Sequence, residues 1–205
     1  MNAGRKRPTG PPPSAGVLAR YAQAYARELG VAEGRVRAWV AYMILAGVLD
    51  RATTADSPLF IVKGGVVLEL RLRDRARATK DIDIVLRDTT ADLANSLEEA
   101  LTGEPYQGFS FRRKGEPLLL DNGAVNIEFG VTYKGQPWTS VSVDIARAEP
   151  GEADVEWVDA IARDRRPWRH RASAVAMPAA SLPRRAEAAR HDPSAAAGQA
   201  ERTVP

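Results

Sequence analysis

The stretch Arg77–Asp88 reads RATKDIDIVLRD. Its centre alternates, with Asp81 and Asp83 set between Ile82, Ile84 and Leu86. Period-two patterning in β-branched residues predicts a strand, and in a strand residues i and i+2 share a face. Asp81 and Asp83 should therefore project together while the three aliphatic residues turn to the core. Two carboxylates so close repel one another, and burying them unpaired is expensive. A divalent cation answers both problems. Carboxylate oxygens are what Mg²⁺ takes as ligands, usually beside substrate phosphates. The plain alternative is an Asp-x-Asp on a solvent-facing strand edge.

The residues just upstream add weight to the first reading. LFIVKGG, ending at Gly65, is a short β-rich run closed by Gly64 and Gly65, and VVLELRLRD then resumes as a helix. A glycine pair lets another group approach the backbone closely. The N-terminus of the helix that follows offers free N–H groups and a positive dipole end to phosphate. The GxxxxGK[ST] pattern of a P-loop is absent. A strand, two glycines, a helix and then the Asp-x-Asp strand, in that order, point to a metal site that works on a phosphorylated substrate.

Outward from this centre, VLARYAQAYARELG predicts a helix from about Val17 to Gly30. A second is expected from about Glu33 to Arg51, and the two together as an N-terminal helical cap. TTADLANSLEEALTG predicts a helix with a threonine cap. FSFRRKG, NGAVNIEFGVTYKG and WTSVSVDIARA read as strands parted by Gly, Pro and Asn turns. This order gives an α+β fold: a small mixed sheet with flanking helices and an N-terminal helical segment. Residues 1–16 are basic and Pro/Gly-rich and are expected to be disordered, residues 17–163 to form the domain, and residues 164–205 to be an Ala/Arg/Pro-rich disordered tail.

Composition narrows the chemistry. The 205 residues include 29 basic and 26 acidic ones, a net charge of +3, so charge alone does not demand nucleic acid. There is no cysteine, which excludes disulfides, thiolate metal sites and a cysteine nucleophile. The two histidines, His170 and His191, lie in the tail, so a histidine triad or zinc site is not expected. No apolar run reaches the roughly 18 residues of a membrane span, and the basic N-terminus has no apolar segment after it. A soluble cytoplasmic protein is the expectation.

Other residues bear on the site. In TSVSVDIARA, Asp144 alternates with Val143 and Ile145, which places it on a polar strand face. It is either a third carboxylate for the site or a plain strand-end aspartate. Glu128 is a weaker rival for the same role. Lys63 is a candidate phosphate contact, although a lysine at a strand end is ordinarily just solvated, and that plainer reading is favoured. Arg77 belongs to the charged run RLRDRARATK, ordinarily a solvated face. That run, with Arg112, Arg113 and Lys114, would alternatively attract an RNA electrostatically.

Lys63-Gly64-Gly65, the Arg77-x-Thr79-x-Asp81-x-Asp83 run and a later strand carrying Asp144 resemble the AbiEii/AbiGii-type (MenT-like) toxins of bacterial toxin–antitoxin systems. These belong to the nucleotidyltransferase superfamily related to DNA polymerase β. The resemblance covers about residues 55–150. It implies a nucleotidyltransferase-like sheet, with Gly64 and Gly65 holding the phosphates of a nucleoside triphosphate. Asp81 and Asp83 would bind Mg²⁺, Asp144 would complete the carboxylate set, and Arg77 and Thr79 would orient the aspartate loop. It also implies transfer of a nucleoside monophosphate to tRNA or to a protein hydroxyl, restrained by a cognate antitoxin. Family members carry a helical half after the sheet, with a characteristic lysine and a further acidic motif. Neither is found in this sequence, so the resemblance implies a C-terminally truncated or degenerate member. The alternatives are a non-enzymatic remnant or regulatory binding module, and a transferase acting on a small molecule.

Overall fold

The computed structural model describes residues 10–54, 57–63, 81–88 and 90–148, and the backbone of 155–159 and 174–178. Among these, α1 (Ala15–Leu29), α2 (Glu33–Leu49), β1 (Thr53–Thr54), β2 (Ser57–Pro58) and β3 (Phe60–Lys63) come first. They are followed by β4 (Asp81–Leu86), α3 (Leu93–Leu101), β5 (Phe109–Leu119), β6 (Val125–Tyr133) and β7 (Gln136–Arg147). Strands β8 (Val155–Asp159) and β9 (Ala174–Pro178) pair antiparallel. The expected helix in VVLELRLRD lies outside the described residues.

The sheet has the order β3-β4-β7-β6-β5. Strands β4 and β7 run parallel, and every other neighbouring pair is antiparallel, so the sheet is mixed and the domain is α+β. Parallel neighbours need a long crossover. Here α3 and the β5–β6 hairpin supply it, bringing residues 81–86 beside residues 142–147.

One face of the sheet makes the core. Val62, Ile82, Ile84, Leu86, Ile127, Phe129, Val143 and Ile145 are all buried there against Leu18 of α1, Leu45 and Leu49 of α2 and Leu97 of α3. Strict alternation puts the polar residues of β4 and β7 on the opposite face.

Helix α2 is more central than a cap. It buries Val36, Val40, Ala41, Ile44, Leu45 and Leu49 and also, beyond that face, Tyr42 and Ala46, so burial reaches most of its circumference, and it packs on α1, α3 and β7. A helix apolar on all sides has no wet face to show, so it belongs inside. Its N-terminal end is locked to β7: Arg37 Nη1 donates to the Trp138 carbonyl at 3.2 Å, and Trp138 Nε1 donates to the Arg37 carbonyl at 3.1 Å. Gly47 fits this crowding, since a Cβ there would come within 2.9 Å of the Tyr106 ring.

Helix ends follow local chemistry. Gly30 closes α1 in the left-handed region (φ 68°), as its sequence position predicts. The cap of α3 is Asp92, not a threonine: its side chain accepts from the Asn95 N–H at 2.7 Å. Asp88 is used separately, accepting from the Thr90 N–H at 2.8 Å in a turn ahead of the helix.

The stretch expected to be disordered at the N-terminus contains a tether. Tyr133, buried in β6, donates its hydroxyl to the Pro12 carbonyl at 2.6 Å, and α1 begins at Ala15. Tyr133→Phe would leave that carbonyl without its donor. It should lower stability by about 1–2 kcal/mol, measurable by urea unfolding. Strand β9 likewise falls within the segment expected to lack regular structure.

Candidate active site

Strand β4 presents Asp81 and Asp83 exposed on the open face, while Ile82 and Ile84 are buried on the other. On β7 the same alternation puts Ser140, Ser142 and Asp144 on the open face and Val141, Val143 and Ile145 in the core. Register then decides which of them meet. Asp83 is the partner of Asp144 and Asp81 the partner of Ser142. Adjacent strands lie about 4.8 Å apart, and two residues along a strand span roughly 6.6 Å. Asp81, Asp83 and Asp144 thus occupy three corners of one small patch.

The row extends in both directions. Lys63 on β3 is the partner of Asp83, and Asn126 on β6 is the partner of Asp144. The order across the sheet is therefore Lys63, Asp83, Asp144, Asn126. Asn126 Nδ2 donates to Asp144 Oδ1 at 2.5 Å and to Ser142 Oγ at 2.7 Å.

Asp83 feels this crowding. Partial burial, then the charge of Asp144, then that of Asp81, push its carboxyl above the ordinary 3.8, and Lys63 pulls the other way. The native state therefore holds this proton more tightly than the unfolded chain does. Its favourable contribution to folding is present below pH 3.8 and is lost as the pH rises through the elevated native value. Unfolding measured across that window should show stability falling with rising pH. Asp83→Asn should flatten that slope, and Mg²⁺ should reduce it in the wild type. Asp83 is exposed enough for solvent screening to keep the effect under about 1 kcal/mol.

This charge distribution suits a dication with oxygen ligands. Among the described residues, no three acidic or histidine side chains converge into a ready-made metal cage. Mg²⁺ commonly binds through one or two carboxylates, with waters and substrate phosphates completing its octahedron. Asp81 and Asp83 on one strand, with Asp144 beside Asp83, match that mode.

Of the residues singled out from sequence, Lys63, Asp81, Asp83 and Asp144 are brought together. Gly64, Gly65, Arg77 and Thr79 lie outside the described residues. Glu128 stands on β6, across Ser142 from Asp81, and its carboxylate is held by Lys114 at 3.2 Å. The basic run Arg112–Lys114 does not act as one patch, because the pleat divides it. Arg113 turns to the helix side and pairs with Glu98 of α3 at 3.3 Å, while Lys114 on the open face binds Glu128 and, at 2.7 Å, Ser140 Oγ. Asn126 and Ser142 were not singled out. Period-two reading of VNIEFGV would have placed Asn126 on the face of Glu128, but only register shows that it meets Asp144.

A family profile described as nucleotidyl transferase AbiEii toxin, type IV TA system, matches residues 47–184, from the end of α2 through β9. The chain belongs to the AbiEii family. Among solved structures, the AbiEii-family chain is similar to MenT4, a nucleotidyltransferase toxin from Mycobacterium tuberculosis, with a TM-score of 0.58 at 20% identity. That likeness is one of fold. It covers 81% of this chain and 55% of MenT4, so the AbiEii-family chain spans about half the length of that relative. No curated protein matches it. Among the described residues, no helix is long and apolar enough to cross a membrane.

Proposed function

We propose that the chain is a Mg²⁺-dependent nucleotidyltransferase toxin of the cytoplasm that moves a nucleoside monophosphate from an NTP to a tRNA end or a protein hydroxyl, under restraint by a cognate antitoxin. The observation that carries this reading is the in-register pairing of Asp83 with Asp144, with Asp81 on the same face. Membership of the AbiEii family supports the reaction class.

Asp81 and Asp83 would hold the cation, and Lys63, the register partner of Asp83, would contact a phosphate oxygen. A bound Mg²⁺ would neutralise charge on the transferring phosphoryl group and acidify the attacking hydroxyl. Asp144 would take the hydroxyl proton as the acceptor oxygen bonds to the α-phosphorus. The bond from that phosphorus to the bridging oxygen breaks, and pyrophosphate leaves.

The test uses the purified full chain with Mg²⁺ and each of the four NTPs labelled at the α-phosphate. The acceptor is total tRNA in one arm and cell protein in the other, with Asp81→Ala alongside. Label on one macromolecular acceptor class from the wild type only establishes the reaction and names the nucleotide. Label on neither, with no cation-dependent NTP binding, would leave a non-enzymatic binding module. Cation-dependent binding without label on either would move the acceptor to the small molecules.

A further inference from the structure

We infer that Asn126 is a positioning residue for Asp144, an inference that rests on the nucleotidyl-transfer reading above. The two residues are register partners on neighbouring strands, and the Asn126 amide donates to Asp144 Oδ1 at 2.5 Å. An ionised carboxylate only accepts, so the amide nitrogen must face it. The second amide hydrogen goes to Ser142 Oγ at 2.7 Å, and Ser142 is in turn the register partner of Asp81. One neutral side chain thus anchors one oxygen of Asp144 and leaves the other for a ligand or an acceptor proton.

The fold itself gives no reason for asparagine here. Asn126 lies mid-sheet between Val125 and Ile127, on the partly exposed open face. Asparagine is disfavoured in strands, where a β-branched residue would serve better. Its chemistry suits the carboxylate instead. A lysine at this position would neutralise Asp144 and compete with a dication. An amide fixes the carboxylate's rotamer through a charge-assisted hydrogen bond and leaves its charge available.

The test pairs kinetics with a readout independent of activity. Asn126→Val and Asn126→Asp are compared with wild type in α-labelled NTP transfer, and melting temperatures are taken in parallel. Asn126→Val should be at least as stable as wild type, yet lose about 10–100-fold in kcat with little change in KM for the NTP. Asn126→Asp, of the same shape but without the donor, should lose at least as much. A role in stability alone would instead make activity follow the melting temperature. In NMR, the side-chain amide signals of Asn126 should move when Asp144 is changed to alanine. An Asn126→Val enzyme with wild-type kcat, or amide signals indifferent to Asp144→Ala, would overturn the inference. Should the wild type transfer nothing, the transfer reading falls and the catalytic role with it, while the amide signals still decide whether Asn126 holds Asp144.

Discussion

Replacing Asp83 by asparagine is expected to reduce nucleotidyl transfer by about a hundred- to a thousandfold and, in the same protein, to raise the melting temperature. The two effects have one cause. Asp83 stands in register with Asp144 and on the same face as Asp81, and both push its carboxyl upward. Burial and the neighbouring charges of Asp144 and Asp81 disfavour an ionised Asp83, so replacing it with a neutral amide relieves that cost. Lost attraction to Lys63 offsets part of that gain. Screening at this exposed position keeps the gain below about 1 kcal/mol, or roughly 2–4 °C for a chain of this size. With a cation and nucleotide present, the same charge is what the site uses. Differential scanning calorimetry and α-label transfer measure the two arms. A variant that loses stability along with activity would mean that Asp83 supports the fold rather than the chemistry.

Ile82→Ala should give the largest loss of stability. Ile82 is fully buried on the strand that carries both aspartates and faces the helices from the other side of the sheet. Truncation removes buried aliphatic surface and leaves a cavity, about 2–5 kcal/mol in comparable cores. Total stabilities are only about 5–15 kcal/mol, so much of the folded population could be lost. Urea unfolding should show a lower midpoint with an unchanged slope. A midpoint within the error of wild type would show that β4 is held by something other than this packing.

What the sequence revealed was periodicity. Alternation in DIDIVL and SVSVDI was enough to assign the faces of Asp81, Asp83 and Asp144, since side-chain direction in a strand is a local property. Which strands become neighbours is not local. Asp144 meets Asp83 because α3 and the β5–β6 hairpin form the crossover that sets β7 parallel to β4. Nothing in the composition of either strand encodes that pairing. The same lack of register hid Asn126, whose role appears only beside Asp144. Arg112, Arg113 and Lys114 are a different case: period two already sets Arg113 and Lys114 on opposite faces, and register adds only their partners, Glu98 and Glu128. Helix α2 was legible as a helix but not as the middle of the core, because an apolar stripe and a helix apolar on all sides differ in only a few positions.

The most direct test is equilibrium binding of a fluorescent NTP to the full chain, with Mg²⁺ and then with the cation chelated, for wild type, Asp83→Asn and Asp144→Asn. Wild type should bind only with Mg²⁺, and Asp83→Asn should bind far more weakly even with Mg²⁺. Asp144→Asn should retain binding, weakened, because Asp81 and Asp83 remain to hold the cation. Binding that persists after chelation, or that survives Asp83→Asn unchanged, would show that the carboxylate row is not where the nucleotide and its metal are held.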